Sequence, residues 1–240
     1  MGTLEFYRAV LIPALNQGLW VSVKIIVPSA LLGLTIGILA GAGRTMGRPA
    51  LARVLDAYVA VFRGTPLVVQ LMMWFYGLPT VSTFLESTFG QDIRPFSDLF
   101  RLSPYAASVT AFALCSGAYQ SEYVRGAILS IKRGQFMAAL ALGFTRGQIF
   151  WRITAPAAAR RALPGIGNEI IYLIKYSSLA MIVTMSELTG QTKAVASIYF
   201  RHLECYLATA CYYLAIVTAA TWLLAWAERR LAIPGDPSHG

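Results

Sequence analysis

From Cys205 to Ala227 the chain runs without one charged side chain. A stretch of about 20 mostly apolar residues is what a helix needs to cross the hydrocarbon core of a bilayer, where every backbone group must find its partner inside the helix. Four further stretches come close to that length: about 19–43, 57–80, 102–121 and 168–187. The whole chain agrees with them, since 57% of its 240 residues are hydrophobic, 13% are charged and its mean hydropathy is +0.59. The expected fold class is therefore an all-α membrane protein with five transmembrane helices.

Five spans put the termini on opposite sides, and cytoplasmic loops of membrane proteins carry the excess of Lys and Arg. With the N-terminus outside and the C-terminus in the cytoplasm, twelve of the twenty basic residues fall in inner segments and five in outer ones. The remaining three, Lys24, Arg63 and Lys175, lie within spans. That distribution accounts for the net charge of +9 without nucleic acid, which would require basic side chains gathered on one water-exposed face. The organisation expected is an N-terminal interfacial segment over 1–18, or simply a frayed start; a transmembrane domain over 19–228 with a long cytoplasmic loop at 122–167; and a cytoplasmic tail over 229–240. The start MGTLEFYRAV has no basic n-region, so no secretory leader is expected.

Several chemistries find no support. Cys115, Cys205 and Cys211 lie in apolar stretches without metal-ligand spacing, and His202 and His239 do not build a metal site, so no metal is expected. No lysine follows a glycine, so no phosphate-binding loop is present and any ATP must sit on another chain. There is no G-x-S-x-G elbow, and the acidic residues are dispersed; no catalytic residue is expected.

The inner loop has a pattern of its own. Gly134 to Leu142 is alanine-rich and ends at the helix-stopping Gly143, and Thr145 is placed to cap a second helix carrying Ile149, Phe150, Trp151 and Ile153. Two short helices bearing aromatic groups, flanked by arginines, suit a groove in a soluble partner; the same aromatics would equally suit the membrane surface or packing under the bundle.

In this loop the chain resembles the inner-membrane permease subunits of bacterial ABC importers, in the polar amino acid and opine branch that includes histidine and octopine permeases. The family signature is E-A-A, three residues, G, nine residues, then I-x-L-P. Here it reads Met137-Ala138-Ala139, Gly143, then Ile153-Thr154-Ala155-Pro156, with the spacing kept and with Met137 and Ala155 in place of the family glutamate and leucine. Arg63-Gly64-Thr65-Pro66-Leu67 with Gln70, Tyr119 with Glu122, Arg125-Gly126, Gly134-Gln135, Asn168-Glu169 and Ser177-Ser178-Leu179 extend the resemblance from about 19 to 228. It implies a five-helix, type I importer permease fold and no cofactor on this chain, with ATP and magnesium bound by a cytoplasmic ABC ATPase dimer. It also implies a second permease subunit, an extracytoplasmic solute-binding protein and a small polar solute, a basic amino acid or opine among the candidates. The loop around Met137, Ala138, Ala139, Gly143, Phe144 and Pro156 would couple to the ATPase. Met137 offers only apolar contact there, which favours a heterodimer with a more complete partner loop over a homodimer.

Polar residues inside the spans are the candidates for the solute pathway, because buried charge in a membrane is costly and faces a wet or protein-lined interior. They are Arg63, Thr65, Gln70, Asn168, Glu169, Lys175, Ser177 and Ser178. Each has a structural alternative. Arg63 also suits snorkelling to the inner interface, Asn168 and Glu169 suit the cap of a helix N-terminus, and the two serines suit helix packing. Tyr119 and Glu122 are expected to hold Arg125, and Glu187 is a weaker candidate. A cation, Arg63 or Lys175, and the Glu169 carboxylate would together match an amino acid zwitterion. A secondary transporter or small channel driven by an ion gradient is the alternative function, although five spans are too few for two inverted repeats.

Overall fold

The computed structural model describes residues 2–90 and 94–231, all of whose regular structure is helical. The elements are α1 (Thr3–Met46), α2 (Pro49–Gly64), α3 (Leu67–Phe89), α4 (Arg94–Ser97), α5 (Pro104–Leu129), α6 (Arg133–Ala141), α7 (Arg146–Val183), α8 (Leu188–Tyr199) and α9 (His202–Leu231). Of these, α1, α3, α7 and α9 are long and apolar enough to cross a membrane. At 26 residues α5 is long enough but more polar, because it carries Ser116, Gln120, Ser121, Glu122 and Arg125.

The spans are helical where expected, but their edges move. α1 takes in 3–18 without a break, and Phe6, Leu11 and Leu15 of that stretch are buried against Leu188, Val195, Ala196 and Cys205 of α8 and α9. The apolar run at 57–80 is divided: α2 ends at Gly64, Thr65 and Pro66 adopt extended backbone, and α3 carries the apolar run on to Phe89. Pro66 has no N–H to continue a helix and disfavours helical backbone at the residue before it. The expected loop at 122–167 is mostly helix. α5 continues to Leu129, and α7 begins at Arg146 and passes the interior Pro164. Of the expected tail, 232–240 lies outside the described residues.

α5 is the axis of the bundle. α1 lies along most of its length, and α2, α3 and α7 pack around it. The closeness of α1 and α5 is set by glycine. A Cβ at Gly37 would lie 2.5 Å from the Gln120 Cβ, and one at Gly41 would lie 2.7 Å from the Val124 Cβ, so a larger side chain at either position would force the helices apart. The main core joins Ile25, Leu71, Phe112, Leu173, Ala180 and Val183, drawn from α1, α3, α5 and α7. Beyond α7 the chain reverses twice through left-handed residues, Thr184 at φ 65° and Phe200 at φ 53°. Between them Glu187 caps α8, its carboxylate accepting from the Thr189 and Gly190 amides at 2.9 and 2.8 Å. α9 keeps its apolar surface outward, with Leu214, Trp222 and Leu223 each about 70% exposed, as a helix does when lipid or another subunit covers it.

Candidate functional site

The break between α2 and α3 is held by one side chain. Gln70 is 7% exposed, and its Nε2 donates to the Phe62 carbonyl at 2.8 Å, the Thr65 carbonyl at 3.0 Å and the Thr65 hydroxyl at 2.9 Å. Those bonds satisfy the backbone acceptors that the interrupted helix leaves over. The Gln70 Oε1 is buried and has no hydrogen-bond partner. A buried acceptor costs about 1–3 kcal/mol when unpaired, so it marks a place where a donor is wanted.

The Phe62 carbonyl also accepts from the Cys115 thiol at 3.7 Å, and the Tyr58 hydroxyl donates to the Leu114 carbonyl at 2.6 Å. The end of α2 is thereby fastened to residues 114–115 of α5. The neighbouring Ser116 accepts from the Gln120 side chain at 2.9 Å, and Glu169 lies on α7, which packs against α5. Glu169 is 4% exposed. A free carbonyl oxygen from α3 and a buried carboxylate from α7 thus both lie on helices packed against α5. The pair presents acceptors only, which is the chemistry that receives an ammonium or guanidinium group.

At the end of α1, three helices share an ion network. The Arg44 side chain, 7% exposed at the end of α1, pairs through Nε with Asp56 at 2.6 Å and through an NH1 nitrogen with Glu122 at 2.9 Å, and it donates to the Ser121 hydroxyl at 3.0 Å. Glu122 also pairs with Arg63 at 3.3 Å, and the Arg63 guanidinium lies 5.1 Å from the centre of the Tyr119 ring. Glu122 therefore holds Arg44 and Arg63 rather than Arg125, because Arg125 lies one turn further along α5 while α1 and α2 supply the nearer cations. Arg63 stays partly exposed and faces the Glu122 carboxylate.

The other candidates separate. Asn168 and Glu169 lie in the interior of α7, many residues after its start, so neither caps a helix; Asn168 is exposed. Lys175 is exposed, with its Nζ 4.4 Å from the Tyr172 ring centre. Ser177 and Ser178 donate to the backbone carbonyls of Ile174 and Lys175. Thr65 belongs to the Gln70 clip and also donates to the Val61 carbonyl. The structure thus brings Thr65 and Gln70 together, places Glu169 beside α5 and puts Lys175 elsewhere on α7. Sequence reasoning missed Tyr58 and Cys115, which fasten the end of α2 to α5, and it counted Arg44 only as a loop charge. The polarity of α5 within an apolar stretch was the available signal.

α6 is exposed at Met137 and Ala138, whereas Ala139 is 4% exposed. Gly143 ends it at φ 82°, with the Phe144 amide returning to the Ala139 carbonyl at 3.1 Å and the Gly143 amide to Leu140 at 2.9 Å. Thr145 then starts α7 with a reciprocal cap: its hydroxyl accepts from the Gln148 amide, and its own amide donates to the Gln148 side chain. Phe144 is half-buried and Pro156 exposed. The product is a capped helical knob whose exposed apolar residues include Leu142, 78% exposed.

Comparison with known proteins places these features. Residues 33–233 match the family described as binding-protein-dependent transport system inner membrane component. The chain is 38% identical over 222 residues to the glutamine transport system permease protein GlnP of Escherichia coli (strain K12), covering 92% of this chain and 94% of that one. It is 31% identical to the arginine transport system permease protein ArtQ of Bacillus subtilis (strain 168), over 92% of this chain and 93% of that one. Among solved structures it superposes on a crystal structure of an amino acid ABC transporter with histidines, at a TM-score of 0.80 and 27% identity, covering 96% of this chain and 99% of that one. An inward-facing MetNI methionine ABC transporter, 18% identical, shares the fold at a TM-score of 0.73.

Proposed function

Because the chain belongs to the binding-protein-dependent transport system inner membrane components, we propose that it carries a polar amino acid or amino acid derivative inward by alternating access. It is a multi-pass inner-membrane protein with the type I ABC permease fold, and it serves as the permease subunit of an amino acid ABC importer whose ATPase is a separate subunit. The proposal adds the topology, the site and the assembly. α1, α3, α5, α7 and α9 form five spans, with the N-terminus outside and the C-terminus in the cytoplasm. The distribution of basic residues supports this direction, and so does the clustering of the ends of α1 and α5 with the start of α7 around one cleft.

The solute passes between Gln70 and Glu169, beside α5, where two buried acceptors receive its ammonium or side-chain cation. The observation that carries this reading is the buried, unpaired Gln70 Oε1 on α3 together with the buried Glu169 carboxylate on α7, both helices being packed against α5. Arg63 borders the inner exit, where its charge suits the solute carboxylate. Lys175, Asn168, Ser177 and Ser178 stand as outlying pathway residues on α7. The substrates of the relatives, glutamine, arginine and octopine, support a polar amino acid or derivative, with basic amino acids and opines inside that range.

The knob formed by Met137, Ala138, Ala139, Gly143 and Phe144, followed by Pro156, fits the groove of the ATPase. ATP and magnesium belong on that partner, whose closure shifts the helices between inward-facing and outward-facing packings. Met137 contributes apolar contact only, which supports pairing with a different permease subunit over self-pairing.

The test is uptake by the reconstituted complex of labelled glutamine, histidine, arginine and octopine, with and without Glu169→Gln. The proposal expects one of these solutes to enter with ATP and the variant to lose at least about tenfold in rate while still assembling, a loss of about 1.4 kcal/mol in stabilisation along the pathway. Unchanged uptake in an assembled variant overturns the site.

A further inference from the structure

At the inner end of the bundle, a cleft of about 360 Å³ opens between the end of α1 (Met46), the end of α5 (Ile128, Ile131), Phe136 of α6 and the start of α7 (Ile149, Phe150). Its walls are apolar, and its two cations are Arg133 and Arg146, both exposed. Neither arginine has an ion-pair partner among the described residues. Nor does the surrounding chain provide one in sequence, because no Asp or Glu occurs between Glu122 and Glu169, a stretch that carries seven Lys or Arg. An apolar pocket with two uncompensated guanidinium groups on its lining is complementary to an amphiphile with an anionic head.

We propose that this cleft binds an anionic phospholipid of the cytoplasmic leaflet, with one acyl chain against Ile131, Phe136 and Ile149 and the phosphate between Arg133 and Arg146. Trp151 favours a lipid over a soluble anion or a protein segment. It is 74% exposed, its ring meets that of the cleft residue Phe150 edge to face at 5.1 Å, and exposed tryptophan is the mark of a membrane–water boundary. The two sides of α6 are also distinct: Phe136 lines the cleft while Met137 is 53% exposed, so a lipid in the cleft leaves the knob free for the ATPase. Basic pockets at the cytoplasmic ends of spanning helices are known to take anionic headgroups. The leaflet follows from the orientation given above; the contact itself is independent of which solute is carried.

The experiment titrates the detergent-purified complex, permease with its ATPase, with phosphatidylglycerol or phosphatidylethanolamine and counts bound lipid by native mass spectrometry. The wild type is expected to hold one phosphatidylglycerol in preference to phosphatidylethanolamine. Arg133→Ala with Arg146→Ala is expected to weaken that binding by about 30-fold. Arg160→Ala with Arg229→Ala removes the same charge from the same side of the membrane and is expected to leave it unchanged. Ile131→Trp, which fills the cleft and keeps both arginines, is expected to abolish the bound lipid. Equal binding of the two lipids, equal loss in the two double variants, retention in Ile131→Trp, or displacement by soluble glycerol phosphate at matched concentration each overturns the proposal.

Discussion

Glu122 accepts two arginines, and the structure ranks them. The Arg44 side chain is 7% exposed and meets Glu122 at 2.9 Å, whereas the Arg63 side chain is 41% exposed and meets it at 3.3 Å. A charge-assisted hydrogen bond from a buried guanidinium contributes about 1.5–3 kcal/mol. An exposed, longer pair, screened by solvent and opposed by side-chain entropy, contributes about 0.2–1 kcal/mol. Double-mutant cycles on Glu122→Ala with Arg44→Ala, Arg63→Ala and Arg125→Ala should therefore give interaction energies of about 2, under about 1, and near zero kcal/mol. The free energies come from reversible SDS-induced unfolding of the purified chain in mixed micelles, followed by tryptophan fluorescence. A cycle with Arg63 as strong as that with Arg44, or a clear coupling to Arg125, would refute the reasoning. The first result would mean that Glu122 belongs to the α2–α3 break more than to the end of α1, and the second that it pairs along α5 instead.

Gly143 sits at φ 82°, where any residue with a Cβ costs about 1–2 kcal/mol; Gly143→Val should unwind the end of α6 and lower recovery of the ATPase in a pull-down, while leaving the chain in the membrane. Gly37→Leu places carbon against Gln120 and should separate α1 from α5 at a cost of about 1–3 kcal/mol, read as a lowered unfolding midpoint in the same mixed micelles. Gln70→Leu removes three donated hydrogen bonds at the α2–α3 break; uptake should fall at least about tenfold, and added protease should cut near Gly64 sooner than in the wild type.

The apolar run of α9 was legible because composition alone decides it: it has no charge to misread between Cys205 and Ala227. The knob was legible because glycine and threonine act locally, Gly143 by its φ and Thr145 by its cap. The α2–α3 break was harder, since Gly64 and Pro66 sit inside an apolar run whose hydropathy says nothing about where a helix is interrupted. The continuity of α7 from Arg146 through Pro164 was misjudged for the converse reason. Arg160, Arg161 and Pro164 read as loop, but proline is tolerated where neighbouring helices re-satisfy the backbone, and arginine stems extend along a helix at the interface. The Arg44 network was not legible at all: Arg44 meets Ser121 across 77 positions of sequence, a contact that exists only once α1 and α5 are packed.

The most direct test of the central claim is uptake of labelled polar amino acids into proteoliposomes holding this chain with its ATPase, a partner permease chain if one copurifies, and the solute-binding protein. Uptake that requires ATP and the binding protein, and that survives collapse of ion gradients by ionophores, is the expected result. Uptake by this chain alone, independent of ATP and abolished by ionophores, would contradict the account.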